Sequence, residues 1–490
     1  MATKATPDSA MARNRPWSIE THGIDAIGGE ERRGKPSDTF WVWFAANISV
    51  LGVTYGGYLV IFYGLDLLQT VVAAVVGVVA SFLLVGLISL AGKRAGAPTM
   101  VLSRAPFGVI GNGLPALVSY VTLVGFEIVL ASLAALAIRT VLTRLGAGSS
   151  TGELAAGFVM VVALAVAVSL FGQATIQRVL TWFTAAFGAL TLVFMALEAR
   201  QVDWRKVAAL PHGNLLAGLL GGLSIIMAGT GLTWTNTAAD YSRYLPRSVS
   251  SRGVVWWTTF GASLPLVALI VFGGLLAAND ASLATSSDPI GVLAAPLPTW
   301  FLIPYMITAV GGLVAEVVMS SYSGGLNLLT LGLRTARHKS ILLDSVLVVS
   351  GSIYILFFSP SFFAPFEGFL VTMGAALASW AAIFLVDLWV FRRGGYVEAD
   401  LYDSRGSYGS VNLPGVSSLV VGTALGWGLV TSTSPAFAWT GYLLGMAGGP
   451  KGAVGASSIG LLCAFVVAGL LYALLSRPRI SASRTAESAV

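Results

Sequence analysis

The feature that most constrains this chain is a series of long apolar runs that carry almost no charge. Runs of about 20 apolar residues are long enough to cross the hydrocarbon core of a bilayer as helices. Only 10% of the 490 residues are charged, against about 25% in soluble proteins. We therefore predict an all-α integral membrane protein with twelve spans, numbered here 1 to 12: residues 40–63, 67–92, 109–138, 153–172, 179–198, 214–238, 253–278, 299–331, 341–359, 366–391, 414–434 and 453–476.

Several residue types are too rare to support other functions. Cys463 is the single cysteine, so the sequence offers neither a disulfide framework nor a cysteine metal site. The three histidines (His22, His212, His338) lie in tails and loops, and no nucleophile–base pair or nucleotide-binding loop is visible. The net charge of +6 does not indicate nucleic acid binding, because the basic residues flank the apolar runs. We expect no enzyme activity, no cofactor and no metal.

The lysines and arginines predict the orientation of the spans. With the N-terminus inside, the inner segments hold 22 of these residues and the outer segments hold 6, which accounts for all 28. Cytoplasmic segments carry the excess of positive charge, so both termini are predicted in the cytoplasm and the protein in the cell membrane. Residues 1–38 and 478–490 are predicted as loose cytoplasmic tails, the first disordered, and residues 397–413 as a polar cytoplasmic loop.

Span 6 contains a polar stretch that a lipid-facing helix does not carry. Gly229, Thr230 and Gly231 weaken the helix, and Trp234 follows. Four hydroxyl or amide side chains accompany it: Thr233, Thr235, Asn236 and Thr237. A helix broken inside a membrane protein, with its backbone open toward a cavity, explains this pattern. We interpret the stretch as half of a binding site.

Span 1 carries a similar mixture of polar side chains and glycines at mid-membrane depth: Asn47, Ser49, Gly52, Thr54, Gly56 and Gly57. Spans 1 and 6 are five apart and therefore run in opposite directions. Two glycine-interrupted helices in matching positions of two halves indicate an inverted-repeat transporter. The alternative is that the glycines only allow close helix packing.

Two carboxyl groups lie midway along predicted spans, where charge is costly. Glu127 is in the middle of span 3 and Glu316 in the middle of span 8, whereas four other acids lie near span ends: Asp66, Asp344, Glu367 and Asp387. Burial favours the neutral form of a carboxyl group, so Glu127 and Glu316 are candidates for loading and releasing a proton. The alternative is that each only ties helices together through hydrogen bonds.

Aromatic faces suit planar ligands because their rings stack at little entropic cost. Trp234 in span 6 and Phe126 in span 3 are the candidates, although a lone aromatic residue in a span usually belongs to the core. Ser320 in span 8 is a candidate polar contact, followed by Ser321 and Ser323. Serine in a helix often hydrogen-bonds its own backbone instead.

The stretch Trp234-Thr-Asn-Thr-Ala-Ala-Asp-Tyr241 resembles the Trp-Thr-Ser-Tyr-Ala-Ala-Asp-Tyr motif of purine–cytosine permeases, a branch of the nucleobase:cation symporter-1 family. Supporting matches are Trp43…Ala46-Asn47 in span 1, residues 96–108 after span 2, and Tyr322-Ser323 in span 8. The resemblance covers roughly spans 1 to 10.

The resemblance implies a LeuT-like fold of two inverted five-helix repeats, residues 39–198 and 214–392, followed by two peripheral helices within residues 414–477. It also implies a substrate site between spans 1, 3, 6 and 8, with Trp234 stacked on a heterocycle. We therefore expect ten residues to line this site: Asn47, Ser49, Gly52, Thr54, Phe126, Gly231, Trp234, Thr235, Asn236 and Ser320. Glu127 and Glu316 are expected to serve the coupling cation.

The sequence departs from the family pattern on the wall opposite Trp234. Phe126 and Leu130 stand where relatives commonly have a tryptophan and an asparagine, and Ser320 stands where an asparagine commonly contacts the base. Sodium-coupled relatives use span 8 hydroxyls one to two turns earlier, where this chain has Gly311, Val314 and Ala315. A sodium ion lacks oxygen ligands there, so we predict proton coupling.

The predicted function is a symporter that imports a nucleobase of purine or cytosine type, or a related planar heterocycle, by alternating access. An amino-acid or other small-molecule permease on the same fold is the alternative, with backbone N–H groups at the helix breaks holding a carboxylate. A membrane enzyme or channel fits less well, since a channel does not need paired broken helices. The predicted partners are the substrate, a proton rather than a sodium ion, and the lipid bilayer.

Overall fold

The computed structural model describes residues 23–148, 151–170, 173–333, 337–359 and 362–487, which form helices and connecting loops without any β-strand. Fourteen helices are labelled here, and shorter ones are named by their residues. They are α1 (Asp38–Ala45), α2 (Val50–Ile61), α3 (Leu67–Ala95), α4 (Gly113–Arg144), α5 (Thr151–Leu170), α6 (Gln173–Ala199), α7 (Gly221–Gly229), α8 (Ala238–Ser242), α9 (Ser251–Asn279), α10 (Thr299–Thr330), α11 (Arg337–Phe357), α12 (Phe363–Val386), α13 (Leu413–Gly428) and α14 (Gly460–Glu487).

Helices of membrane-spanning length occur along the whole described chain. Within it, 8 helical segments are long and apolar enough to cross a bilayer, and the bent pair α1–α2 raises the number to 9. Three shorter apolar helices lie at the predicted spans 5, 9 and 11: Ala185–Ala199, Leu342–Phe357 and Leu413–Gly428. The protein is therefore a multi-pass membrane protein, and each predicted span position holds an apolar helix. The count of twelve spans itself stays a prediction.

Spans 1 and 6 are both interrupted, as predicted. The α1 and α2 helices meet at 63°, and Ser49 starts α2 by accepting a hydrogen bond from Leu51 N at 3.3 Å. In span 6, the α-helix stops at Thr230, whose φ of −125° and ψ of −115° are not helical. A 3₁₀ turn over Thr235–Thr237 then leads into α8.

The glycines of span 1 do not make its break, which corrects our interpretation of that span. Gly52 and Gly56 lie inside α2, after the break at residues 46–49. A Cβ at Gly56 would overlap Ile270 O and lie 2.5 Å from Gly274 N, both in α9. These glycines therefore allow α2 and α9 to pack closely. Gly231 in span 6 directly follows the non-helical Thr230. It also allows close packing, because its Cβ would lie 2.5 Å from Phe82 N of α3.

The long helices form a bundle around the two breaks. Helix α10 packs along α4, while α9 packs against α3 and α2. Helices α13 and α14, the predicted peripheral helices, pack against each other and against α12.

Residues 23–37, part of the predicted N-terminal tail, pack against one end of the bundle. The Arg32 side chain is 8% exposed and donates hydrogen bonds to Ile27 O, Lys93 O and Ala95 O. The last carbonyl groups of a helix have no partner within the helix, so the guanidinium supplies donors to the end of α3. Residues 1–22 lie outside the described part of the chain.

Candidate substrate and coupling site

Trp234 lies beside the break of span 6, in the short helix Gly231–Trp234. Its side chain is 7% exposed. Trp43 of α1 packs edge-to-face against it, with ring centroids 5.6 Å apart and planes at 82°. Trp43 itself contacts Phe82 and Tyr241. The indole of Trp234 is therefore braced by Trp43 of α1, the helix that precedes the break in span 1.

Phe126, the predicted opposite wall, is braced by a different helix. Its ring packs edge-to-face against Phe366 at 6.1 Å and Phe369 at 5.8 Å, both in α12. Among the ring contacts of the described residues, none joins Phe126 to Trp234. The two candidate aromatic walls are thus separate surfaces supported by spans 1 and 10.

The polar side chains of span 1 mainly satisfy their own backbone. Asn47 Nδ2 donates to Trp43 O at 2.8 Å, and Thr54 Oγ1 donates to Leu51 O at 2.7 Å. The Asn47 bond satisfies a carbonyl group at the end of α1 and Ser49 caps the start of α2, whereas the Thr54 bond lies within α2.

In span 6, the hydroxyl groups have the same local role, whereas Asn236 reaches across the bundle. Thr235 Oγ1 donates to Leu232 O at 2.5 Å, and Gly231 N donates to Ser81 Oγ at 3.2 Å. Asn236 Nδ2 donates to Ser119 Oγ of α4 at 2.8 Å, while its Oδ1 has no partner. The free amide oxygen is a buried acceptor available to a ligand.

Ser119 is a contact that the sequence reasoning missed. Its hydroxyl accepts from Asn236 in span 6 and also from Asn327 Nδ2 of α10, at 2.6 Å. One serine therefore links spans 3, 6 and 8. Local sequence contains no signal for this, since the three partners are far apart in the chain.

Ser320 and Glu316 place polar groups of α10 in the interior. Ser320 is 1% exposed, and its Oγ has no hydrogen-bond partner. Glu316 is 5% exposed, its carboxyl interacts with Ser49, and its Oε1 is unpartnered. One turn earlier, a Cβ at Gly312 would lie 3.3 Å from Ile48 O. Helix α10 thus faces the break of span 1 with a glycine and a carboxyl group.

Glu127 lies on α4 with its carboxyl group buried, at 1% exposed. Ser321 of α10 donates a hydrogen bond to Glu127 Oε2 at 2.5 Å. Asp344 of α11 interacts with the same carboxyl group and is itself 0% exposed. Asp344 was expected near a span end, so its full burial is unexpected. A stripe of buried residues four apart in sequence (Ser340, Asp344, Val348, Ser352) is the signal that marks this face of α11.

The Ala-Ala-Asp-Tyr part of the span 6 motif makes hydrogen bonds that hold α8 in place next to the site. Asp240 accepts hydrogen bonds from Thr99 N at 2.8 Å and Thr99 Oγ1 at 2.9 Å, and Tyr241 Oη donates to Met319 O at 2.7 Å. The segment after span 2 consists of two short buried helices, Thr99–Leu102 and Arg104–Phe107. The motif therefore fixes α8 to this segment and to α10.

Comparison with known sequences gives a consistent set of relatives. The family described as "Permease for cytosine/purines, uracil, thiamine, allantoin" matches residues 26–449. The Bacillus subtilis protein named "Putative purine-cytosine permease YxlA" is 27% identical over 472 residues, covering 94% of this chain and 97% of the relative. The Saccharomyces cerevisiae purine-cytosine permease FCY2 is 24% identical over 313 residues, covering 63% of this chain and 54% of the relative.

Comparison with solved structures shows the fold. Mhp1, a nucleobase-cation-symport-1 family transporter in a closed conformation with bromovinylhydantoin bound, has a TM-score of 0.72 at 17% identity and covers 94% of this chain and 96% of its own. The inward-facing conformation of Mhp1 has a TM-score of 0.68 at 19% identity, covering 94% and 95%. The predicted all-α LeuT-like fold is therefore confirmed.

Proposed function

Because the chain belongs to the family of permeases for cytosine/purines, uracil, thiamine and allantoin, we propose that it imports a nucleobase or a related planar heterocycle. The predicted membership of the nucleobase:cation symporter-1 family is confirmed. The chain is a symporter that works by alternating access between the two sides of the membrane. We infer that the ligand passes through chemically unchanged.

The observation that carries the substrate proposal is the orientation of Trp234. The indole lies at a helix break, is almost fully buried, and is held edge-on by Trp43 at 5.6 Å. An indole fixed in this way loses little entropy when a flat ring stacks on it. Trp234 is the primary stacking surface, and Phe126 is the second aromatic surface.

Hydrogen-bonding groups for the heterocycle come from three spans. The unpartnered oxygens of Asn236 and Ser320 are buried polar atoms that a ring N–H or carbonyl satisfies. The other predicted residues lie at the two breaks (Asn47, Ser49, Gly231 and Thr235) or in the first turns of α2 (Gly52 and Thr54), and their side chains and backbone groups complete the site.

The amino-acid alternative needs free backbone N–H groups at the breaks to bind a carboxylate. Two of these groups already have partners from the chain itself: Leu51 N donates to Ser49 and Gly231 N donates to Ser81. This occupancy favours a neutral heterocycle over an amino acid.

The coupling cation is proposed to be a proton. Glu316 is buried beside Ser49 at the break of span 1, and Glu127 is buried beside Ser321. Both glutamates are able to gain and lose a proton as the bundle rearranges. A sodium ion finds no side-chain oxygen at the α10 positions where sodium-coupled relatives carry hydroxyl groups. These positions are Gly311, Val314 and Ala315.

We place the protein in the cell membrane with both termini in the cytoplasm. The support is the distribution of lysines and arginines, 22 on the inner and 6 on the outer segments of the predicted topology. Residues 39–198 and 214–392 are proposed as the two inverted repeats.

The test is ligand binding and uptake by purified protein in proteoliposomes. Nucleobases, hydantoins and amino acids are compared as competitors, and Trp234→Ala is compared with Trp300→Ala, a tryptophan 70% exposed at the start of α10. We expect Trp234→Ala alone to abolish binding of the heterocycle, while both variants remain folded. Retained affinity in Trp234→Ala would remove the stacking role, and competition by amino acids alone would support the alternative.

A further inference from the structure

Glu127, one of the two coupling candidates, is one half of a buried pair of carboxyl groups. Its partner Asp344 lies on α11, and neither residue is more than 1% exposed. Gly324 of α10 lies directly beside the pair, because a Cβ there would be 3.6 Å from Asp344 Oδ1, in ordinary van der Waals contact. Three helices, α4, α10 and α11, therefore converge on two acidic groups.

Four oxygen atoms of this cluster have no direct hydrogen-bond partner: Glu127 Oε1, Asp344 Oδ1, Asp344 Oδ2 and Tyr120 Oη. Tyr120 of α4 interacts with Asp344. Leaving buried polar atoms unpaired is energetically costly. Since Ser321 already donates to Glu127 Oε2, Oε1 is the oxygen that is free to carry a proton.

A proton on Glu127 Oε1 supplies the donor that the two carboxyl groups lack. The acceptor is the Asp344 carboxylate, which interacts with Glu127 and also with Tyr120.

The surroundings do not compensate a second negative charge. Among the described residues, the titratable groups that face the pair are Tyr120 of α4 and Tyr241 of α8, and no lysine, arginine or histidine interacts with it. Helix α5 contributes only Val161, Val162, Ala165 and Val166 to a cavity of about 20 Å³ beside Glu127. That volume holds about one water molecule. Two carboxylates in such an environment cannot both be ionised.

We propose that Glu127 and Asp344 form a shared-proton site, in which Glu127 carries the proton and the Asp344 carboxylate positions it. This inference rests on the proposed proton symport and adds a second proton site to that of Glu316. Ser321 follows Glu316 by five residues, so the two sites lie on different faces of α10. A movement of α10 therefore changes the surroundings of both sites at once.

The first test is the pH profile of uptake in Asp344→Asn, which removes the negative charge and keeps the side-chain size. Glu127 then holds its proton less tightly, so we expect the pH of half-maximal uptake to fall by about one to three units. The matched control is Ser352→Ala, on the same face of α11, which loses only the hydrogen bond from its hydroxyl to Ile128 O. The control keeps the parent midpoint, and an unchanged midpoint in Asp344→Asn overturns the proposal.

The second test does not depend on transport. Infrared spectra of reconstituted protein without substrate report the C=O stretch of protonated buried carboxylic acids as the pH is varied. We expect Glu127→Gln to remove one such band and Asp344→Asn to lower the pH at which that band titrates. If Asp344→Asn does not fold, parent protein labelled with ¹³C in the glutamate side chains must show the band shifted, and an unshifted band rejects the site.

The two tests separate the two proposals. A parent protein that shows the infrared behaviour but no proton-driven heterocycle uptake contradicts the proposed function and leaves the proton site standing. Proton-driven uptake combined with an infrared band that neither substitution changes contradicts the shared-proton site and leaves the proposed function standing.

Discussion

Gly56 and Gly57 are adjacent in α2, yet the structure predicts opposite effects when each becomes alanine. At Gly56 the added Cβ would overlap Ile270 O and lie 2.5 Å from Gly274 N. Both are backbone atoms that cannot rotate away, so α2 and α9 must separate by about 1.5 Å to reach ordinary van der Waals contact. At Gly57 the nearest atoms, Ala284 Cβ and Leu283 Cγ, are 3.5 Å away, which is ordinary van der Waals contact.

The magnitude follows from two opposing contributions. Alanine stabilises a helix interior by about 1 kcal/mol relative to glycine, and this gain is available at both positions. Overpacking costs about 1–3 kcal/mol, and contact with backbone places Gly56 at the upper end. We therefore expect Gly56→Ala to be destabilised by about 2 kcal/mol and Gly57→Ala to be neutral or slightly stabilised.

The assay is thermal unfolding of the purified variants in the same detergent, combined with uptake in proteoliposomes. A loss of this size lowers the apparent melting temperature by about 2 °C in a chain of this length. Because Ser49, the N-cap of α2, interacts with Glu316, Gly56→Ala is also expected to lose uptake more than Gly57→Ala does. Equal melting temperatures for the two variants would refute the packing role of Gly56.

Three further predictions concern the coupling group, the interior link and the N-terminal segment. Glu316→Gln is expected to remove the response of uptake to an imposed pH gradient, and sodium-dependent, pH-insensitive uptake by the parent protein would contradict proton coupling. Ser119→Ala removes the shared acceptor of Asn236 and Asn327, so we expect weaker ligand binding by isothermal titration calorimetry at unchanged helix content; unaltered affinity would limit Ser119 to packing. Arg32→Ala removes three hydrogen bonds to backbone carbonyls and is expected to lower the melting temperature, whereas the exposed Arg33 replaced by alanine serves as the control and melts like the parent.

The sequence alone determined the features that depend on neighbouring residues. Apolar runs define spans because the bilayer acts on each helix locally, and the described helices lie at all twelve predicted positions. The polar stretch around Trp234 predicted the break in span 6, since a lipid-facing helix cannot carry those groups. The same stretch carried the family resemblance that the comparisons confirm.

Only the tertiary structure decided how the helices are rotated and which residues from distant spans meet. Helix periodicity does not specify which neighbour a buried face contacts, so Asp344 could be placed on a span but not beside Glu127. For the same reason, the link through Ser119 and the packing of Gly56 against α9 appear only in three dimensions. Hydropathy indicates whether a segment lies in lipid or in water, whereas pairwise contacts depend on how all the helices pack together.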